Sequence, residues 1–250
     1  MENLHGFLKR LAEAGEFRRQ HNRPFITVSY AQAMDGSIAM RLKKKVQLSS
    51  PAALKLTHRL RAGHDAILLG IGTVLADNPF LTVRLVEGQS PLPIILDTRL
   101  RLHPRLNLMQ RQDCQPLIVT GTGAAAGRIT EMERLGARVL PCAVTPEKTI
   151  DLVAMMELLS GLDTDINSIM VEGGARVISS FTSAKLVDQF VITFTPYMLG
   201  GLKALELKDS EGGGYVELAD MKIDDLGEDF VMWARPVYCK LQNNQQPMVL

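Results

Sequence analysis

Two acidic residues stand beside glycines just after apolar runs, where a carboxylate could take part in chemistry. Glu172 follows the run IMV and precedes Gly173 and Gly174, while Asp35 lies in the sequence MDG. A carboxylate that lines a pocket can accept hydrogen bonds from the hydroxyl or amino groups of a substrate. Asp-Gly is also ordinary turn chemistry, whereas Glu172 would otherwise face solvent or cap helix amides. Glu172 is therefore the stronger candidate.

Four apolar runs end in polar or glycine-bearing sequences that could receive a phosphate. These ends are Gly70-Ile71-Gly72-Thr73, Asp97-Thr98-Arg99, Thr120-Gly121-Thr122-Gly123 and Glu172-Gly173-Gly174-Ala175-Arg176. Ligands of open α/β sheets gather at the carboxyl ends of strands, and helix starts present free amides and a partial positive charge. Gly173 and Gly174 would let a pyrophosphate reach the first turn of a helix predicted at 174–185. Alternatively, the two glycines only make a tight turn. No G-x-G-x-x-G follows the first strand, which argues against an ordinary Rossmann fold.

A group of basic residues could hold an anion. His58, Arg59, Arg61 and His64 crowd the end of one predicted helix, and Arg84 ends the sequence NPFLTVR. Arginine grips phosphate through two parallel donors, which favours Arg61 and Arg84. For His58 and Arg59 we prefer the alternative that they coat a helix face or complement its dipole. The lysine run at 43–45 is interpreted as a solvated loop, with closure over an anionic substrate as the alternative.

The elements that must position these residues alternate between apolar runs and helical patterns. Strands are predicted at 24–31, 65–70, 92–97, 116–121, in SIMVEGG and in LVDQFVITFTPYMLGG, with helices between them. Runs that are apolar throughout suit parallel strands covered on both faces. The closing sequence YVELADMKIDDLGEDFVMWARPVYCKL predicts an antiparallel hairpin. The fold class predicted is α/β, with a mainly parallel central sheet, an antiparallel C-terminal hairpin and flanking helices.

The predicted organisation is one domain with short additions. Leu4, Phe7, Leu8 and Leu11 indicate an amphipathic helix within an N-terminal helical extension, residues 1–22. A single domain is expected over residues 23–241, and residues 242–250 form a polar tail. No linker-like segment or internal repeat divides the chain.

Composition and motifs exclude several classes of function. The chain has 28 basic and 27 acidic residues and a net charge of +1, so it lacks the overall positive potential typical of nucleic-acid binders. No apolar run is long enough for a membrane span, and charges interrupt the N-terminus where a signal peptide would be apolar. A reduced, cytoplasmic protein is expected. Three separated cysteines form no C-x-x-C pair, and no metal-spaced histidine pair, P-loop or Ser-His-Asp order is present. No metal is expected.

Taken together, several motifs closely resemble the reductases of riboflavin biosynthesis, which are similar in fold to dihydrofolate reductase. The sequences that carry the resemblance are RPFITVSYAQAMDGSIA, HRLRAGHDAILLGIGTVLADNPFLTVR, PIILDTRLRL and IMVEGGARVISSFTSAKLVDQFVITFTPYMLGG. They cover residues 23 to 240 approximately, in the family's order. The combination of G-x-G-T-V-L-A-D-N-P-x-L-T-V-R with V-E-G-G is specific, although no single piece is.

The resemblance implies an NADPH-dependent reduction. In this family a hydride passes from the nicotinamide to the anomeric carbon of a ribosylaminopyrimidine 5′-phosphate, whose ribosyl group becomes a ribityl chain. Cofactor contacts are implied at Ala31, Thr73, Asp77, Thr98, Gly174, Ala175, Arg176, Val177, Ile178, Ser179 and Ser180. The argument from strand ends adds Gly70, Gly72, Thr120 and Gly173. Substrate contacts are implied at Arg61, Leu81, Arg84 and Glu172, with the two arginines on the phosphate.

The resemblance leaves some points open. The acid that protonates the opened sugar could be Asp35, Glu172, a group of the substrate or water. The H-x-E and P-C-x-x-C signature of a zinc deaminase domain is absent, so the reductase alone is expected. A stand-alone reductase favours the diamino substrate over the deaminated one by analogy. A sister reductase acting on a pterin or another heterocycle, or a non-catalytic nucleotide-binding sensor, is the alternative. A homodimer is implied, and we expect its interface at 230–241.

Overall fold

The computed structural model describes residues 2–41, 47–162, 165–206 and 214–240, and all structural statements below concern these residues. The predicted lysine loop at 43–45 and the predicted tail at 242–250 lie outside them. The helices are α1 Glu2–Ala12, α2 Ala14–His21, α3 Pro51–Gly63, α4 Ile71–Asp77, α5 Ala126–Arg134, α6 Leu152–Gly161 and α7 Ala175–Ser183. A 3-10 turn spans Asn107–Gln110.

The strands form one large sheet and a small ribbon. They are β1 Phe25–Ala33, β2 Ser37–Ala39, β3 Ala66–Gly70, β4 Leu92–Leu96, β5 Leu117–Gly121, β6 Arg138–Cys142, β7 Ser168–Val171, β8 Gln189–Thr195, β9 Leu202–Lys203, β10 Gly214–Asp225 and β11 Phe230–Lys240. Within the described ranges, nine strands make the large sheet in the order β10-β11-β8-β1-β7-β3-β4-β5-β6, and β2 pairs with β9.

Parallel pairing runs from β8 to β6, and the hairpin β10–β11 closes the other edge in antiparallel fashion. β7 lies between β1 and β3, so Glu172 leaves the centre of the sheet. Its backbone N–H continues the ladder by donating to Leu68 O at 3.0 Å. The most central strand therefore delivers the carboxylate to the carboxyl edge of the sheet.

Helices cover both faces of the sheet. On one face, buried side chains of α6 and α7 share one hydrophobic cluster with alternate residues of the central strands, among them Phe181, Ile169 and Val171. The other face carries α1 and α3, where Phe7 and Leu56 meet Met170. Full burial of such a side chain stabilises the fold by roughly 2 kcal/mol. Strands covered on both faces are apolar throughout, as the sequence pattern predicted.

The predicted fold class is confirmed, because the sheet is mainly parallel, ends in an antiparallel hairpin and is flanked by helices. The helix predicted from the Ser50 cap and Pro51 spans Pro51–Gly63, with Ser50 Oγ accepting from Ala53 N at 3.3 Å. Three strands were missed: β6 at the far edge, and the short β2 and β9. Among the described residues no helix is long and apolar enough to cross a membrane.

Candidate active site

Glu172 and Arg61 form a two-pronged ion pair at the carboxyl end of β7. Arg61 Nε donates to Glu172 Oε1 at 2.7 Å, and Arg61 Nη2 donates to Oε2 at 2.6 Å. Both side chains are mostly buried, with about one seventh of each exposed. Burial alone would lower the pKa of Arg61, but the Glu172 carboxylate raises it above its ordinary value. The guanidinium is therefore always charged, and it fixes the direction of the carboxylate.

Residues 81–84, which we call segment 81–84, are held beside this pair. Leu81 is buried with a left-handed backbone, φ 59°, which is uncommon for a bulky residue and needs support from its surroundings. Four hydrogen bonds supply it: Arg111 Nη1 to Leu81 O (3.3 Å), Arg61 Nη1 to Thr82 O (3.3 Å), Val83 N to Ser90 Oγ (3.0 Å) and Arg84 N to His58 Nδ1 (2.9 Å). Every residue of the segment is thus anchored through its backbone.

The two arginines predicted to bind phosphate differ in what they offer. Three N–H groups of Arg61 are engaged by Glu172 and Thr82. Arg84 is exposed, and within the described ranges no group hydrogen-bonds or ion-pairs with its guanidinium. Arg84 is therefore the better placed of the two to grip an anion from solution.

His58 does not coat the surface, so the interpretation preferred from the sequence is wrong for this residue. It is buried, with 3% of its surface exposed, and its Nδ1 accepts the N–H of Arg84. Since Nδ1 accepts a proton donor, the imidazole is neutral with its own proton on Nε2. Burial and the positive charges of Arg61 and Arg84 lower the pKa of His58, although Glu172 opposes this. Arg59 is half-buried.

His64 is also not part of a cationic group, contrary to the sequence interpretation. Its Nδ1 lies 2.7 Å from Leu60 O, and a carbonyl only accepts, so Nδ1 carries the proton. Nε2 therefore accepts the hydroxyl of Thr27 on β1 at 2.8 Å. Burial lowers the pKa of His64 to about 4, despite the bond to Leu60 and the charges of Asp65 and Glu172. The residue is a neutral link between α3 and β1.

The glycine pair after Glu172 lets two helix starts come together. A Cβ at Gly173 would lie 2.7 Å from Val177 Cγ1, and one at Gly174 would lie 3.3 Å from Thr73 Oγ1 on α4. Gly174 has an ordinary extended backbone, φ −73° and ψ 175°, so the missing Cβ matters more than conformational freedom. The pair therefore serves close packing of α7 and α4 rather than a turn that only glycine can make.

Both of these helices begin without a side-chain cap. Gly70 is the N-cap of α4 and Gly174 that of α7, and neither position has a side chain that could bond the first amides. β3 and β7, which lead into them, are adjacent in the sheet. Gly72 has open space around its Cα, with nothing within 4 Å of an added Cβ. Within the described ranges the first amides of both helices have no side-chain partner, and two such helix starts side by side are a cradle of the kind that can bind a pyrophosphate.

The other predicted cofactor positions differ in their exposure and in the elements that carry them. Ala31 is half-buried on β1 beside Thr193, and Asp77 is the exposed last residue of α4. Thr98 is half-buried, while Thr120 is fully buried and its hydroxyl donates to Thr98 O at 3.4 Å. Thr120 can therefore contribute only by shaping the loop.

Positions on α7 divide by the face they present. Ile178 is fully buried in the core, and Val177 packs on Gly70 and Gly173. Arg176 and Ser180 are exposed. Ser179 is half-buried, and its Oγ accepts the N–H of Glu206 at 2.9 Å. Ala175 is half-buried in the first turn, where amides have no partner within the helix.

Asp35 is an anchor for its own turn. Its carboxylate accepts from Ser37 Oγ at 2.8 Å and from Gly200 N at 2.8 Å, and Lys203 Nζ approaches at 3.5 Å. The hydrogen bond from Ser37, opposed by some burial but joined by backbone N–H groups that include Gly200, lowers the pKa of Asp35 well below its ordinary value. A carboxylate held ionised in this way is a poor proton donor.

Sequence reasoning missed the residues that support segment 81–84, namely His58, Ser90 and Arg111. Arg111 is buried beneath the segment, where it also bonds Pro91 O at 3.1 Å and pairs with Asp113 at 2.6 Å. For His58 a signal existed, because it precedes Arg61 by three residues and therefore shares its helix face. No local pattern marks the role of Arg111 in this segment, because the carbonyls of Pro91 and Leu81 that it bonds are 20 and 30 residues away.

The fold and site define an α/β protein whose central strands bring a buried Arg61–Glu172 ion pair and two uncapped helix starts to the carboxyl edge of the sheet, the edge at which open α/β sheets bind their ligands. The model of the RibD C-terminal domain family matches residues 24–232. This chain belongs to that family.

Individual relatives agree with the family match. A 2,5-diamino-6-ribosylamino-4(3H)-pyrimidinone 5′-phosphate reductase from Archaeoglobus fulgidus is 33% identical over 224 residues, 85% of this chain and 98% of the relative. The riboflavin biosynthesis protein RibD of Bacillus amyloliquefaciens is 31% identical over 221 residues, 85% of this chain but 57% of that protein. The solved structure of the riboflavin biosynthesis reductase Rib7 from Saccharomyces cerevisiae matches with a TM-score of 0.70 and 28% identity, covering 90% of this chain and 100% of that one.

Proposed function

We propose that this protein is an NADPH-dependent reductase of riboflavin biosynthesis. Its substrate is 2,5-diamino-6-ribosylamino-4(3H)-pyrimidinone 5′-phosphate, whose ribosyl group it reduces to ribityl. The observation that carries the proposal is the Arg61–Glu172 pair, which stands immediately before the cradle made by Gly173 and Gly174. An ion pair that can bind sugar hydroxyls, next to helix starts that can bind a pyrophosphate, suits a reaction between a dinucleotide and the sugar of a substrate.

The residues present fit the cofactor. The amides that start α4 and α7 would hold the pyrophosphate, with Thr73 and Gly174 in contact where the two helices meet. Thr98 and Ala31 lie at the ends of β4 and β1, on the same edge of the sheet. When bound there, NADPH supplies the hydride that reduces the anomeric carbon.

Glu172 orients the sugar rather than donating a proton. Because both of its oxygens accept from Arg61, it is a carboxylate with spare lone pairs, which can accept substrate hydroxyl or amino groups. Asp35 is held ionised by its own turn. We therefore assign the proton taken up by the opened sugar to water or to a group of the substrate.

Segment 81–84 forms the other side of the substrate site. Leu81 presents a fixed backbone and a buried side chain, and Arg84 presents a guanidinium that no described residue engages. Arg84 is assigned to the 5′-phosphate, since a guanidinium donates two parallel hydrogen bonds to such a group. Arg61 holds Glu172 and the backbone of Thr82 in place.

The diamino substrate is favoured over the deaminated one by the length of the relatives. The Archaeoglobus reductase, named for the diamino compound, is matched over 98% of its length, whereas the Bacillus RibD protein is matched over only 57% of its length.

The experiment that tests the proposal offers the purified chain NADPH with each pyrimidine separately and follows nicotinamide absorbance.

Oxidation of NADPH with the diamino compound, and much less with the deaminated one, is the expected result. The reverse preference would place the reduction after deamination. No oxidation with either compound, despite NADPH binding, would contradict the assignment and favour a sister heterocycle reductase or a sensor.

We also propose that the protein acts as a cytoplasmic homodimer. The interface expected at 230–241 is less suitable than its neighbour, because β11 is paired on both sides and largely covered. β10 is the edge strand of the sheet, and it exposes Tyr215, Met221 and Ile223 by 51%, 60% and 63%. An edge strand with exposed apolar side chains is a surface that a second copy would cover.

A further inference from the structure

His58 is a buried polar residue that the resemblance leaves without a role. It lies one turn before Arg61 on α3, and 3% of its surface is exposed. Its Nδ1 accepts a hydrogen bond from the backbone N–H of Arg84 at 2.9 Å. This bond joins α3 to Arg84, whose guanidinium has no partner among the residues that the structure describes.

The bond depends on the protonation state of the ring. A backbone N–H can only donate, so Nδ1 must offer a lone pair, which protonated imidazole lacks. The charged groups that face His58 are Arg61 on its own helix, Arg84 across the contact and Glu172 after β7. Two of these three are positive, and together with burial they favour the neutral ring.

The rest of segment 81–84 is held by groups that do not titrate near neutral pH. Leu81 O and Thr82 O accept from arginine, and Val83 N donates to Ser90. Loss of the fourth anchor would free only the last residue of the segment. His58 therefore controls the position of Arg84 while the remaining anchors keep the loop folded.

We propose that His58 is a positioning residue, which as a neutral acceptor holds Arg84 where its guanidinium meets the 5′-phosphate of the substrate. The proposal rests on the proposed reductase function for the identity of that phosphate. It implies that His58 affects substrate binding and not the binding of NADPH, whose cradle lies at α4 and α7.

The first test compares His58→Leu with His58→Asn. Leucine removes the acceptor, whereas the asparagine Oδ1 is attached at the same branch as Nδ1 and does not titrate. Leaving the Arg84 N–H unpaired should raise KM for the phosphorylated pyrimidine about tenfold, with the NADPH Kd unchanged. His58→Asn should restore most of this affinity. Failure of asparagine to restore it would overturn the proposal.

The second test is a double-substitution cycle with Arg84→Met. If His58 acts through the guanidinium of Arg84, His58→Leu should change KM about tenfold in the wild type and have little effect in the Arg84→Met background. A dephosphorylated pyrimidine should show no difference between wild type and His58→Leu. Equal effects of His58→Leu in both backgrounds, or on both pyrimidines, would show a general structural role and contradict the proposal.

The third test compares the pH dependence of kcat/KM between the wild type and His58→Asn. Below pH 6.5, the ordinary His value, kcat/KM of the wild type should fall more steeply than that of His58→Asn, because the substrate phosphate titrates equally in both. Identical profiles would count against His58. Calorimetry with inorganic phosphate is run alongside. If the wild type turns over neither pyrimidine, the proposed function fails. The Kd of inorganic phosphate, compared between the wild type and His58→Leu, then still shows whether loss of His58 weakens an anion site.

Discussion

At the residue scale, the site depends on one ion pair. Arg61 and Glu172 meet with both oxygens of the carboxylate engaged, at 2.6 and 2.7 Å, in a largely buried setting. Such a pair contributes little net stability, because both charges lose solvation. Its consequence is geometric, since a carboxylate with a fixed direction can orient a substrate hydroxyl.

Replacing Glu172 with glutamine should separate catalysis from cofactor binding. The amide cannot accept from both sides of the Arg61 fork, so the orientation of the substrate is lost. We expect kcat to fall roughly 10- to 100-fold, the effect of one or two charge-assisted hydrogen bonds, with the NADPH Kd changed much less. Steady-state kinetics and fluorescence titration with NADPH measure the two quantities.

The control is Glu157→Gln on the exposed face of α6, which should alter neither quantity. Unchanged turnover in Glu172→Gln would remove Glu172 from the active site. Equal losses of kcat and NADPH affinity would mean that the substitution disturbs the neighbouring cradle instead.

At the scale of elements, the junction of β7 and α7 shows why glycine follows the carboxylate. α7 approaches the strand so closely that Val177 occupies the space in which a Cβ of residue 173 would lie. This packing brings the start of α7 against Thr73 at the start of α4. The closeness of the two helix starts, which we propose bind the pyrophosphate, is therefore a result of helix packing.

Gly173→Ala tests this account of the junction. The added methyl must displace Val177, and we expect unfolding to become easier by about 1–3 kcal/mol, together with a weaker affinity for NADPH. Chemical denaturation and NADPH titration measure both. Gly161→Ala at the end of α6, where an added Cβ meets nothing within 4 Å, should leave both unchanged. An unchanged NADPH affinity in Gly173→Ala would show that the close packing at Gly173 is not needed for cofactor binding.

His64, which links α3 to β1, makes stability depend on pH. Its folded pKa of about 4 lies below the ordinary 6.5, so the unfolded chain binds more protons between these values. Stability should therefore fall as pH falls from 6.5 to about 4, by about 3 kcal/mol from this residue. His64→Asn, which keeps a donor for Leu60 O, should lack this component. Denaturation curves at pH 7 and pH 5 compare the two proteins, and parallel losses would contradict the assignment.

Most helices and strands could be predicted from the sequence, while β2, β6, β9 and the long-range contacts of His58 and His64 could not. Apolar runs such as PIIL and the Ser50-Pro51 start signal depend on neighbouring residues, and both elements formed where expected. The ribbon of β2 and β9 pairs residues more than 160 positions apart, so no local pattern marks it. The burial of both histidines likewise depends on the elements packed over α3.

At the scale of the whole molecule, the two edges of the large sheet differ in the length of the edge strand that could pair with a second copy. The edge strand on one side is β6, which has five residues, whereas the edge strand on the other side is β10, which has twelve. A bulge between Ala219 and Lys222 interrupts the pairing of β10 with β11. The long edge with its exposed apolar residues is where we expect the second copy.

Ile223→Glu tests this interface. Ile223 is 63% exposed on β10, so a charge there is tolerated by a monomer but opposes burial between two copies. Sedimentation should show a dimer for the wild type and a monomer for Ile223→Glu at micromolar concentration. Val153→Glu, 52% exposed on α6, should remain dimeric. A monomeric wild type, or a dimer that persists in Ile223→Glu, would contradict the interface.

We expect this fold to direct a hydride to the anomeric carbon of a phosphorylated ribosylaminopyrimidine. The most direct measurement uses NADPH that carries deuterium at the transferred position of the nicotinamide. The diamino pyrimidine phosphate is the substrate, and the product is examined by NMR and mass spectrometry. We predict one deuterium at C1′ of a ribityl chain, because the hydride adds to that carbon as the bond to the ring oxygen breaks. An unlabelled sugar, or deuterium in the pyrimidine ring, would contradict the account.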